Sequence, residues 1–191
     1  MRLLIDIASA VLVATTVGFF TAWLAVEHGR LFGSVAIGSW TAWPEAGGPN
    51  TDPYSLALLA RTGELPLGAG EGLGFTAQTD SKGDPLSGRC VYDINGQTPA
   101  ARLWTLTAYD GEGRLMVNPA HRPGFHSRDI LRRPDGSFSI VGSPDVEPGN
   151  WLPTARVDAV QLVLRLYDTP LTTASDFTNI EMPSIDKVRC K

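Results

Sequence analysis

The longest uninterrupted apolar run lies at the N-terminus, from Leu3 to Val26, and contains one charge, Asp6, near its start. As a helix, its residues, about 24 in number, extend roughly 36 Å, more than the hydrocarbon core of about 30 Å. The run ends in WLAVE, without the pair of small residues that a signal peptidase requires. We therefore expect residues 1–30 to form an uncleaved transmembrane anchor rather than a cleaved signal peptide, with Asp6 at or near the headgroups rather than in a functional role.

Residues 31–53 show neither a helical nor a strand period. They are rich in Gly, Pro and Trp, which predicts a membrane-proximal linker that docks on the following domain. Trp40 and Trp43 are expected either at the membrane surface or packed on the sheet. After Asp52-Pro53, the run YSLALLARTGEL closes near Gly63 and predicts a short amphipathic helix with three residues on its apolar face: Leu56, Leu59 and Ala60.

After this helix, strand signals repeat through to the C-terminus, each bounded by Gly, Pro, Asn or Asp: LGFTAQTD, RCVYDI, ARLWTLTAY, RLMVN, SFSIV and DAVQLVLRLY. The last is the clearest, because apolar and mixed positions alternate from Val160 to Tyr167. Tight turns are expected at YDGEGRL and at PDG. Short strands in series without intervening helices predict an all-β domain over residues 54–191, built as an antiparallel sandwich or jelly roll.

Composition narrows the class of partner. The chain contains 20 glycines and 14 prolines without a period, which is typical of many short elements joined by turns. The formal net charge is −4, and acidic residues are scattered among basic ones, so no basic stripe is available to neutralise phosphates. Nucleic acid is therefore not an expected partner.

The chain has two cysteines, Cys90 and Cys190. Neither belongs to a C-x-x-C or other ligand-spaced cluster, so we expect no metal site and no cofactor. We expect a disulfide rather than two buried free thiols, and such a bond persists only in an oxidising compartment. Because the charges beside the apolar run do not set its orientation, the disulfide decides the expected topology: a single-pass protein of the inner (cytoplasmic) membrane with its soluble domain in the periplasm.

From about residue 50 to the C-terminus, several stretches form a characteristic set: Asp52-Pro53-Tyr54, ARLWTLT at 101–107, Tyr109-Asp110 with its hairpin, Asn118-Pro119, Gly149-Asn150-Trp151-Leu152-Pro153 and Leu164-Arg165-Leu166-Tyr167. Through them the chain resembles the bacterial domain-of-unknown-function family numbered 1214, in its short, membrane-anchored form. The resemblance implies a β-sandwich of jelly-roll type and, in longer relatives, a second β domain that pairs with it. It implies no established activity for the short form, so no catalytic residue is carried over.

Two neighbouring residues, Asn150 and Trp151, are candidates for binding a ligand. They follow a Pro-Gly turn and precede the clearest strand. An indole ring and a side-chain amide are suited to stacking on, and hydrogen bonding to, sugars or other polar ring compounds. The alternative is structural: Trp151 plugs one end of the barrel and Asn150 ties the backbone of the loop.

The other candidate ligand-binding residues are Arg102, Trp104 and Arg165, which lie in two predicted strands. Both arginines have apolar neighbours and are expected to be partly buried. An internal salt bridge to a carboxylate such as Asp110 or Asp168 is favoured over an anion-binding site.

Catalytic sets are incomplete in the sequence. His121 and His126, with Asp129 nearby, match no standard metal-ligand spacing and are expected to be incidental residues of an exposed loop. The glycines between positions 68 and 74 do not form a phosphate loop, and no G-x-S-x-G motif is present. Asp110 and Glu112 are expected to face water on a hairpin, which is poorly suited to general acid catalysis.

Three functions are compatible with this sequence. The favoured hypothesis is a non-enzymatic envelope module that binds a glycan, lipid or protein partner close to the membrane. The first alternative is an envelope hydrolase or lyase that acts on a cell-wall or polysaccharide substrate. The second is an accessory subunit of a larger membrane complex that packs through its anchor helix, whose small residues permit close helix contact.

Overall fold

The computed structural model describes residues 2–28, 33–68, 70–118, 120–173, 177 and 179–190. The end of the predicted anchor, the start of the predicted linker and Pro119 of the resembling stretches lie outside the described residues. The helices and strands are α1 (Arg2–His28), β1 (Val35–Ile37), β2 (Trp40–Ala42), α2 (Pro53–Thr62), β3 (Gly72–Ala77), β4 (Cys90–Gly96), β5 (Leu103–Asp110), β6 (Gly124–His126), β7 (Phe138–Ser143), β8 (Asn150–Pro153), β9 (Val160–Tyr167), a 3₁₀ helix (Pro170–Thr173) and β10 (Ser184–Cys190).

Helix α1 is the apolar segment predicted from the sequence. Its mean hydropathy is 2.1, its length is sufficient to cross a membrane, and none of the span is buried by the rest of the protein. A helix that is apolar on all sides is stable only in apolar surroundings. Helix α1 therefore has the properties of a membrane span or of an N-terminal signal sequence.

Helix α2 begins and ends at the residues that the sequence indicated. The Asp52 carboxylate accepts hydrogen bonds from the backbone N–H groups of Tyr54 and Ser55, both 3.0 Å long, and Gly63 ends the helix at φ 69°. The predicted apolar face is wrong in part, because Leu59 is buried while Leu56 and Ala60 are exposed. The buried stripe instead combines Leu59 with Ser55, one turn earlier.

Strands β1 and β2 were not predicted, because each is three residues long and lies in the Gly- and Trp-rich segment. They form a hairpin whose second strand pairs with β3. Trp40 is buried, and its indole N–H donates to the carbonyl of Pro183 over 2.7 Å. Of the two positions expected for Trp40, the packed one is observed.

The strands form two sheets. The six-stranded sheet has the order β1-β2-β3-β9-β5-β6, and the four-stranded sheet has the order β10-β4-β7-β8. A purely antiparallel arrangement is wrong at one pair, because β7 and β8 run parallel. The Asn150 amide donates to the carbonyl of Ser139 over 2.9 Å, which holds the start of β8 beside the start of β7.

The strand predicted from the letters RLMVN is also wrong. Leu115 makes only an isolated bridge to Tyr109, at the base of the hairpin that follows β5. Asn118 then accepts a hydrogen bond from the N–H of Arg122 over 3.0 Å and donates one to its carbonyl over 2.9 Å. These side-chain bonds to the backbone compete with sheet pairing and turn the chain.

One hydrophobic cluster draws on both sheets. The six-stranded sheet contributes Phe75, Leu106 and Leu164, and the four-stranded sheet contributes Ile94 and Ile140, all at most 1% exposed. Apolar residues therefore occupy one face of each sheet, and the opposite face of the six-stranded sheet carries the polar positions of its strands.

The predicted disulfide is confirmed. Cys90 and Cys190 are directly paired in the register of β4 and β10, and their sulfur atoms are 1.98 Å apart. The bond closes a sequence separation of 100 residues and ties the last strand to the first strand of the four-stranded sheet. A covalent link of this length restricts the unfolded chain strongly.

Candidate functional site

The outward face of β5 and β9 carries polar side chains around Val163. Along β5, buried residues alternate with less buried ones, and β9 follows the same alternation except at Val163, which is buried although it faces outward. Tyr109, Gln161 and Arg165 therefore point away from the core. Tyr109 pairs directly with Gln161 in the strand register, and Arg165 lies four residues after Gln161 on the same face, beyond Val163. Neighbouring strands therefore present an aromatic ring, an amide and a guanidinium on one surface.

These residues form the floor of an open groove of about 470 Å³. One wall is the end of α2 and the segment that follows it, residues 62–65. The other wall is the tip of the hairpin after β5, residues 111–113. We call this feature the outer groove. It brings together three segments that lie far apart in the sequence.

Hydrogen bonds order the floor of the outer groove. The Arg165 guanidinium donates to the Tyr109 hydroxyl over 3.1 Å, and its central carbon is 5.7 Å from the centre of the Tyr109 ring. The amide of Gln78 donates to the side-chain oxygen of Gln161 over 3.1 Å. Side chains held by such contacts lose less conformational entropy when a ligand binds.

The hairpin wall is held by Asp110. Its carboxylate accepts hydrogen bonds of 2.9 Å from the N–H groups of Arg114 and Glu112 and from the Arg114 guanidinium. The bonds from Arg114, with that from Glu112, hold the pKa of Asp110 below its ordinary value. Asp110 is therefore ionised at neutral pH and unsuited to donating a proton. Two other carboxylates line the outer groove, that of Glu64 on the α2 wall and that of Glu112 on the hairpin wall.

The structure places the other predicted site residues away from the outer groove. Asn150 is buried, accepts from the N–H of Leu131 over 2.8 Å, and donates to the carbonyls of Leu131 and Ser139 over 2.9 Å each. The indole N–H of Trp151 donates to the carbonyl of Ser143 over 3.0 Å. The polar groups of both side chains are thus hydrogen bonded to backbone atoms around β8.

Trp104 lies in the core, whereas Arg102 lies on the surface. Trp104 is buried, with its ring centre 5.1 Å from that of Phe138. Arg102 pairs with Asp168 at 3.0 Å, as the sequence suggested, but both side chains are exposed rather than partly buried. Within the described residues, Arg165 is the member of the predicted set that lines the outer groove.

Two further clusters of ionisable residues lie outside the outer groove. His126 lies 2.8 Å from Asp129, and no group of three or more His, Cys, Asp or Glu suited to a metal occurs in the described part of the chain. Burial raises the pKa of Asp80. The hydrogen bonds from the N–H groups of Asp84 and Lys82, together with the charge of Lys187, have a larger and opposite effect, so the pKa lies below its ordinary value. Asp80 thereby ties its loop to β10.

Tyr109 and Gln161 were not predicted as site residues. The outward position of Gln161 could have been predicted, because Gln161 occupies a polar position in the alternating pattern of β9. The pairing of β9 with β5, and the arrival of α2 over the same surface, are long-range contacts that the local pattern does not contain. The sequence thus indicated which residues of β9 face outward, but not that α2 and the hairpin enclose them in a groove.

Taken together, the fold and site define a mostly β domain of two sheets, with an apolar N-terminal helix and an open polar groove on the outer face of its larger sheet. The chain belongs to the family described as "Protein of unknown function (DUF1214)", whose model matches residues 71–171. The family resemblance inferred from the sequence is thereby confirmed.

Solved structures that are similar to this chain include two bacterial proteins. The VPA0106 protein from Vibrio parahaemolyticus matches with a TM-score of 0.59 and 20% identity, over 73% of this chain and 36% of that one. A putative uncharacterized protein from Burkholderia cenocepacia matches with a TM-score of 0.43 and 20% identity, over 63% and 30%. This chain thus spans about a third of the length of these proteins. No curated protein matches the sequence.

Proposed function

We propose that this chain is a membrane-anchored module of the bacterial cell envelope that binds a glycan non-covalently in the outer groove. In this proposal, residues 1–30 anchor the protein in the inner membrane, residues 31–53 connect the anchor to the domain, and residues 54–191 form a β-sandwich of jelly-roll type in the periplasm. The observation that carries the proposal is the floor of the outer groove, where Tyr109, Gln161 and Arg165 face outward side by side.

The chemistry of the floor favours a polar ring compound among the partners considered. A tyrosine ring supports the apolar face of a sugar, and amide and guanidinium groups bond its hydroxyls. The groove is open rather than enclosed, as suits a chain-like saccharide, and it lacks the predominantly apolar lining that drug-sized hydrophobic ligands require. A lipid or an apolar protein segment therefore fits this surface less well.

Two observations support the proposed location. The disulfide between Cys90 and Cys190 persists in an oxidising compartment, and α1 has the length and composition of a membrane span. An uncleaved anchor keeps the domain at the membrane after translocation. Mass spectrometry of the protein from native membranes tests this: a mass that includes Met1 and a cross-linked Cys90–Cys190 peptide support the anchor and the compartment.

The test of binding uses the purified full-length protein and an array of bacterial envelope oligosaccharides, followed by calorimetric titration of any hit. Arg165→Gln removes a charged donor from the floor and should weaken binding about tenfold or more. Arg102→Gln is the matched control, because it also removes an arginine of the β domain, directly before β5, but lies outside the outer groove. Equal affinities of the two variants, with unchanged melting temperatures, would refute the assignment of the site.

The second candidate function is a hydrolase or lyase acting on a polysaccharide in the same groove. It is favoured by Glu64 and Glu112, which place one carboxylate on each wall. Glu112 is already paired with Arg114 at 2.8 Å, so a substrate would have to compete with Arg114 for this carboxylate. If a bound oligosaccharide is cleaved by the wild-type protein but not by Glu64→Gln, the enzymatic function replaces the binding function.

A further inference from the structure

An apolar depression lies on the other side of the wall formed by α2 and the residues after it. Its volume is about 480 Å³, and its lining includes four residues that we call the α2 patch: Leu56, Ala60, Leu65 and Pro66. Leu56 is 54% exposed and Leu65 is 88% exposed. Large apolar side chains that share one exposed surface mark a contact site rather than ordinary surface variation.

The α2 patch lies next to the end of the membrane helix. Glu27, the residue after the apolar run, forms an ion pair with Arg61 of α2. Arg61 directly follows Ala60 of the patch. Because the apolar run ends at Val26, the contact holds α2 at the level where the chain leaves the hydrocarbon.

We propose that the α2 patch rests on the lipid surface, with Leu56 and Leu65 inserted at the boundary between headgroups and acyl chains. The inference relies on the membrane anchor of the proposed function but not on glycan binding. Interfacial helices bury an apolar face about 5–10 Å into this boundary. An ion pair to the anchor helix keeps the patch close to the bilayer, so that the patch needs no independent membrane affinity.

The charged residues described around the patch indicate how its contact should depend on lipid headgroup charge. The sequence of α2 has no acidic residue, and its Arg61 is already paired with Glu27. Asp52 caps the start of the helix, and Glu64 lies beside Leu65. With no surplus positive charge, the patch has no electrostatic preference for anionic headgroups. Contact is therefore expected with zwitterionic lipid as well, and it should not depend on the anionic fraction.

Membrane contact at the α2 patch also orients the outer groove. Gly63, Glu64 and Leu65 line both the depression and the outer groove, so the two share a wall. If Leu65 is inserted in the lipid surface, the outer groove opens beside the bilayer. A saccharide carried on a membrane component would then reach the groove without leaving the membrane.

The test places a fluorophore at single introduced cysteines of the full-length protein in phosphatidylcholine nanodiscs. The native cysteines form a disulfide and do not react. Leu56→Cys and Leu65→Cys report on the patch, Val117→Cys is a control at an exposed apolar position in another loop, and Val13→Cys reports on the anchor. Quenching by lipids that carry a spin label near the headgroup is compared with quenching by lipids labelled deep in the chain.

At positions 56 and 65 we expect several-fold stronger quenching than at 117, greater with the shallow label than with the deep one, and unchanged by added anionic lipid. One result would overturn this inference and leave the anchor intact: the label at 13 is quenched, but the labels at 56 and 65 are quenched no more than the control label at 117. Absence of quenching at 13 would overturn both. Burial of labels 56 and 65 in protein-dependent oligomers without lipid quenching would assign the patch to a second copy of the chain instead.

Discussion

The disulfide between Cys90 and Cys190 fastens the end of strand β10 to β4. Strand β10 is an edge strand of the four-stranded sheet, and Ile185 is its one buried residue among those described. Apolar burial therefore holds this strand weakly, and the Cys90–Cys190 bond restrains its end. Replacing both cysteines by serine removes a cross-link over 100 residues, which in the chain-entropy model stabilises the folded state by about 4.7 kcal/mol.

A loss of this size is large enough to measure directly. For a domain of this length, each kcal/mol corresponds to about 2–4 °C in melting temperature, so the double variant should melt about 10–19 °C below the wild type. Near-ultraviolet circular dichroism of the full-length protein in detergent follows the packing of the aromatic residues, and four of the five tryptophans lie outside helix α1. Urea denaturation at constant temperature provides an independent free energy of unfolding.

The matched control is Val188→Ser, an exposed position on the same strand. It alters β10 without breaking the disulfide and should change the melting temperature by only about 1–2 °C. A double cysteine variant that melts with the wild type, or a wild type that is indifferent to reductant, would refute the reasoning. Either result would mean that the pairing of β4 with β10 carries the stability by itself.

Three further predictions follow from individual contacts. Gly72→Ala should destabilise the domain by about 1–3 kcal/mol in urea, because its Cβ would lie 2.1 Å from the carbonyl oxygen of Leu166, whereas Gly74→Ala, which meets no atom within 4 Å, should cost clearly less. Asn150→Ala leaves its buried backbone partners unpaired and should cost about 2–3 kcal/mol, measured in the same way. Because the pKa of Asp80 is lowered in the folded state, its stabilisation is complete at neutral pH and is lost as the pH falls below about 4 towards that pKa; urea midpoints of Asp80→Asn should show a weaker acid dependence.

Much of the local structure was predictable because its causes are local. The apolar run of α1, the cap at Asp52 and the glycine that ends α2 act within a few residues. The alternation of β9 likewise identifies a strand and its buried face from consecutive positions. Where pairing partners decide the structure, the same patterns failed: β1 and β2 are too short to carry a period, and β8 is held parallel to β7 by the distant contacts of Asn150.

By itself, the amino-acid sequence determined the membrane-length helix, the β character of the domain, its family and the pairing of two cysteines. These properties depend on composition, on periodicity and on there being one possible cysteine pair. Only the tertiary structure decided the position of the outer groove and of the α2 patch. The outer groove requires α2, the hairpin after β5 and the outward face of β9 to meet, and the α2 patch requires Leu56 to remain exposed when Leu59 is buried. Contacts between segments about 50 residues apart are set by the packing of the whole domain, which no local pattern encodes.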